Sequence, residues 1–133
     1  MNEKLTEQYY RCDFETSKLL KEAGFDEKCT AHYDISDGYY WGIATNSNHN
    51  YFERKCSAPL ISVAKEWLNE KGYDVQTTLH HEDKSAEKYF MLRLRLNNQI
   101  ILFDAWYLHK DVTQKDFDLN FIQTCCKHII ENK

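Results

Sequence analysis

The chain has 133 residues, of which 42% are hydrophobic and 29% charged, and a formal net charge of −4. That composition describes a single globular domain over 1–133, long enough to bury roughly two thirds of its unfolded surface, and it excludes a disordered tail. The negative balance opposes long-range attraction to phosphate backbones, and the lack of an apolar run near 18 residues leads us to expect a cytoplasmic protein without membrane span or secretory leader.

In chain order, Asp13 or Thr16 opens a first helix carrying Leu19, Leu20 and Ala23. Gly24 ends it and Phe25 folds back as the hydrophobic clasp. The strand-like run CTAHYDI (29–35) follows, and the Ser36-Asp37-Gly38 turn into YYWGIAT (39–45) predicts a hairpin. Residues 46–57, NSNHNYFERKCS, show no period and alternate three asparagines, which predicts the longest loop of the chain.

Ser57 reads as the cap of a second helix, with Pro59 in its first turn and a stripe of Leu60, Ala64, Trp67, Leu68 and Lys71. LNEKGYD (68–74) at its end repeats the pattern of LKEAGFD (20–26). The echo is explained by capping: in each copy a glycine ends a helix, an aromatic clasps it, and a strand follows. Duplication of a helix–strand–strand unit is the rival reading.

The strand YDVQTTLH (73–80) precedes KYFMLRLRL (88–96), whose alternation puts Phe90, Leu92 and Leu94 on one face. Asn97 and Asn98 close a tight turn into IILFDAWYL (100–108), which predicts Ile101, Phe103 and Ala105 on that same face. Asp104 then falls on the opposite face, within reach of Arg93. Thr113 with Asp116 opens a last helix with Phe117, Phe121, Ile122, Cys125 and Ile129 as its buried stripe. The order is α-β-β-α-β-β-β-α, an α+β fold with a mostly antiparallel sheet and helices on one face.

The stretches ETSKLLKEAGFDEKC (15–29), SAPLISVAKEWLNEKGYDV (57–75) and QKDFDLNFIQTCCKHII (114–130) resemble a group of small proteins carried by phages and prophages of gut Bacteroidetes. The resemblance implies a phage-linked cytosolic setting, and it transfers no catalytic residue.

Chemistry-bearing clusters are few. Cys12, Cys29, Cys56, Cys125 and Cys126 include no C-x-x-C pair and read as reduced, buried thiols. His80-His81-Glu82-Asp83 are adjacent, so alternate strand faces separate the two histidines and they read as exposed polar residues. Cys125 and His128 share a helix face without a third partner, and Asp104 near Tyr107 and His109 is the one carboxylate placed for a site. No phosphate loop or nucleophile elbow occurs. No cofactor, metal or catalytic role is expected.

Residues 57–131 run α-β-β-β-α, the element order of double-stranded-RNA-binding domains. Yet Lys115, where such a domain places its basic cluster, is flanked by Asp116 and Asp118. Nucleic acid is therefore the alternative partner, and a protein partner the first expectation. Trp41, Tyr51, Tyr89, Trp106 and Tyr107 are the candidate contact residues, because Tyr and Trp dominate protein-binding hot spots.

Overall fold

A computed structural model of the chain describes residues 8–81, 88–107 and 113–133, and for 76–81, 88–92 and 102–107 it describes the backbone. The fold is α+β. Helix α1 (Phe14–Ala23) leads to strands β1 (His32–Asp34) and β2 (Tyr40–Trp41), a 3-10 turn (His49–Tyr51) and β3 (Lys55–Ser57). Helix α2 (Ile61–Glu70), strands β4 (Tyr73–His81), β5 (Lys88–Leu96) and β6 (Gln99–Tyr107), and helix α3 (Gln114–Glu131) complete the order.

The expected sheet is two sheets. The first has the order β2-β1-β3 and the second β4-β5-β6, both antiparallel. The extra strand, β3, comes from the segment expected to be a loop. Lys55, Cys56 and Ser57 pair with Asp34, Tyr33 and His32. Ser57 is consequently a buried sheet residue and no helix cap. Leu60 is the N-cap of α2 and contributes no side-chain bond. The carbonyl of Tyr10 instead accepts from Ile61 N–H at 2.9 Å. Leu60 is accordingly exposed and Ile61 buried, one position later than the predicted stripe.

The helix ends follow local chemistry. Asp13 accepts from Thr16 N–H at the start of α1. At its close Gly24 has φ 98°, and Phe25 N–H bonds Leu20 C=O at 2.9 Å, the six-to-one bond of a Schellman ending. At α2 the same grammar closes differently. Leu68 C=O accepts from Lys71 N–H, and Tyr73 pairs with Leu96 as the first residue of β4. Helix α3 opens with a reciprocal Thr113–Asp116 capping box.

Asn97 (φ 50°) and Asn98 (φ 70°) make the two-residue turn between β5 and β6. The register beyond it departs from expectation. Arg95 pairs with Ile100, but Leu94 pairs with Leu102, so Ile101 is the extra residue of a β-bulge. One added residue exchanges the faces of everything beyond it. Leu92 therefore pairs with Asp104 and Phe90 with Trp106, where Phe103 and Ala105 were expected on their face. Ile101 is exposed. Arg93 has Phe103 as register partner, not Asp104. Among the described residues Arg95 makes a cross-strand ion pair with Asp74, bidentate at 2.7 and 2.8 Å.

Among the described residues two clusters of buried side chains are found. The larger joins Leu20, Ala23 and Phe25 to Ala64, Trp67 and Leu68 of α2, Tyr73 and Leu94 of the second sheet, and Phe121, Ile122, Cys125 and Cys126 of α3. The smaller holds Ala31, Tyr33, Tyr40, Cys56 and Ala58 around the first sheet.

Candidate aromatic site on the first sheet

The turn after β1 is built by aspartates. Asp34 accepts from Ser36 N–H and Oγ–H, Asp37 accepts from Tyr39 N–H, and Gly38 takes φ 73°. This tight return leaves β2 only two residues long, at an edge of its sheet. Alternate positions of β2 and the residues flanking it face solvent: Tyr39, Trp41 and Ile43 are 54%, 50% and 89% exposed.

Trp41 also starts a row of rings that runs inward. Tyr39 meets it edge-on at 5.1 Å, and His32, its register partner, lies nearly parallel at 6.2 Å and 12°. His49 stacks on His32 at 4.5 Å. Nε2 of His49 lies 3.0 Å from Cys29 C=O and 2.9 Å from Thr45 C=O, and since carbonyls only accept, that nitrogen carries the proton. Burial, reinforced by the neighbouring His49 and Lys55 and opposed by Asp34, lowers the pKa of His32 from 6.5 to about 4. This histidine pair was not singled out in the sequence. Its members are 17 positions apart by number, and only the fold stacks them.

The rings do not make a metal site. Imidazole lone pairs lie in the ring plane, so rings stacked face to face send them side by side and not to one point. Among the described residues no group of three or more His, Cys, Asp or Glu could hold a metal.

The segment carrying His49 is fastened by side chains bonding main chain. Asn48 accepts from Asn50 N–H; Asn50 donates to Phe25 C=O and accepts from Ser57 N–H. The Lys21 ammonium donates to the carbonyls of Phe52, Glu53 and Lys55.

Of the five sequence candidates, Trp41 and Tyr51 are exposed, Tyr51 at 83% with Phe52 edge-on beside it. Tyr89, Trp106 and Tyr107 belong to the second sheet, where Tyr89 and Tyr107 are register partners and Trp106 pairs with Phe90. Their side chains lie outside the described residues, as do those of Asp104, His80 and His81 and the whole of Glu82, Asp83 and His109. Trp41 thus lies on the first sheet, Tyr51 in the 3-10 turn and the other three on the second sheet.

The thiols are poor nucleophiles. All five are buried and free. Burial raises each pKa above its ordinary value, to about 11 for Cys56 and about 12 for Cys126. His128, which the sequence placed beside Cys125, shares a 2.6 Å hydrogen bond with the Tyr73 hydroxyl.

A cleft of about 690 Å³ opens where Tyr9 and Tyr10 meet the starts of α2 and α3. Its cations are already engaged: Lys65 pairs with Asp118 at 2.9 Å and Lys115 sits 4.2 Å over the Tyr9 ring.

No family model matches this chain, and no curated protein or solved structure is similar to it at a meaningful level. Among the described residues no helix is long and apolar enough to cross a membrane.

Proposed function

We propose that this chain is a small accessory protein of phage or prophage origin that acts without catalysis by holding a partner protein. Trp41 carries the reading. A tryptophan half exposed on an edge strand, with Tyr39 against it and Ile43 two residues on, combines anchor side chains with a strand at the edge of its sheet. An extended segment of a partner adds to such an edge through main-chain bonds and sets alternate apolar side chains on the rings. The three stretches that resemble phage proteins support the setting, and the raised thiol pKa values support a non-catalytic role.

The test is a photo-crosslinking amino acid at position 43, with the captured protein identified, purified and titrated against this chain. We expect direct binding at micromolar strength or better, weakened about tenfold or more by Trp41→Ala and unaffected by the distant Glu66→Lys. Failure of the purified pair to bind, or equal binding by Trp41→Ala, would sink the proposal.

The order α2-β4-β5-β6-α3, with the strands adjacent in sequence order, favours a second reading as a duplex-RNA binder. The engaged Lys65 and Lys115, and the neighbouring Asp116 and Asp118, leave little charge for phosphate. We expect no gel shift with duplex RNA or DNA at micromolar protein and physiological salt. A salt-sensitive shift abolished by Lys115→Glu would establish the second reading in place of the first.

A further inference from the structure

We propose that the stacked His32–His49 pair is an acid-sensitive latch: with His32 neutral, it holds residues 44–49 on the first sheet, and proton uptake at His32 frees that stretch while the helical core stays folded.

The main chain of 44–49 is tied to the protein by few bonds. Ala44 N–H bonds Thr30 C=O at 2.8 Å, and Cys29 and Ser47 exchange bonds of 2.9 and 3.1 Å. His49 completes the attachment by donating to Cys29 and Thr45. Nδ1 of His32 is buried without a hydrogen-bond partner among the described residues, so a proton arriving there finds no acceptor to stabilise it. The groups facing His32 are Lys55 on β3, His49 on the 3-10 turn and Asp34 on its own strand. His49 and Lys55 both disfavour a cation there, and Asp34 favours one. Opening the stretch gives His32 to water, where its proton affinity returns to the ordinary value.

Beyond His49 the chain stays held by Asn50, which bonds Phe25 C=O and Ser57 N–H, and by the Lys21 clamp on the carbonyls of Phe52 and Lys55. The opening is thereby confined to 44–49.

The direction follows from the shift. His32 binds its proton less readily closed (about 4) than open (6.5), so closure is fully favoured above pH 6.5 and lost progressively as pH falls toward 4. Between pH 7 and pH 5 the open fraction should rise about 20-fold.

Hydrogen exchange of the full chain, corrected for intrinsic rate, reads this directly. Ser47 and Ala44 amides should exchange about 20-fold faster at pH 5 than at pH 7, with amides of α1 and α2 unchanged. His32→Phe keeps a stacked ring without a titrating nitrogen and should hold the two rates equal. Should that variant fail to fold, NMR titration of the wild-type imidazoles decides: a His32 pKa below 5 supports the latch, and one near 6.5 overturns it. Equal exchange at both pH values, acceleration that persists in His32→Phe, or loss of α1 and α2 protection together with 44–49 would also overturn it.

Discussion

Phe25→Ala is expected to cost about 3–5 kcal/mol, measured as a lowered urea midpoint at unchanged slope. Three attachments meet at this residue. Its ring, 1% exposed, packs edge-on against Trp67 at 5.3 Å and 70°. Its N–H closes α1 on Leu20, and its carbonyl receives Asn50 from the 3-10 turn. The backbone bonds survive truncation, so the loss is that of buried aromatic area plus a cavity between two helices. Phe25→Leu should retain most of the stability. A loss under about 1 kcal/mol for alanine would mean that the site collapses around the gap.

Gly72→Val should destabilise by about 2 kcal/mol or more, and the reason separates the two copies of the echo. Both glycines have positive φ, 98° at Gly24 and 97° at Gly72, which alone costs a branched residue about 1–2 kcal/mol. A Cβ at Gly24 meets nothing within 4 Å, whereas at Gly72 it would lie 2.1 Å from Oδ1 of Asn97. The Asn97 N–H bonds Gly72 C=O at 2.9 Å and keeps the two residues close, so the Asn97 side chain must rotate away to admit a Cβ. The ranking Gly72→Val above Gly24→Val is therefore the expected outcome in thermal melts. Adding Asn97→Gly to Gly72→Val should recover the steric part and leave the backbone part. Equal effects at the two glycines would remove the distinction.

Features legible in the sequence are those set by neighbours a few residues apart. The Thr113–Asp116 box, the Gly24 ending, the Asp13 cap and the Asn97-Asn98 turn each depend on one local bond or one φ angle, and each is present. Strand β3 was illegible because residues 46–57 are ordered by Asn48, Asn50 and Lys21 bonding main chain, and such bonds leave no hydrophobic period. The alternating asparagines were the visible trace of it. The bulge at Ile101 was illegible because the predicted alternation on β6 is equally regular in either register. For the site, Trp41 and Tyr51 were chosen because tryptophan and tyrosine dominate protein-binding hot spots, and both are exposed. The partners of Trp41 were missed, since His32 and His49 acquire meaning only once β1 and the 3-10 turn meet.

The packing of α1 against α3 sets a schedule for making the protein. Thr16 on the first helix receives Gln123 from the last at 2.8 Å, and Leu20 shares a cluster with Ile122 and Cys126. While a ribosome is still adding residues 114–131, α1 has emerged without the surface that covers it. The part of its apolar stripe that α3 covers then waits in water, and the first sheet with its exposed tryptophan is displayed before the helical core exists. Closure over so long a sequence separation is slow relative to local structure formation. The newly made chain is thus most exposed to chaperones, proteases and self-association in the interval before its last helix arrives.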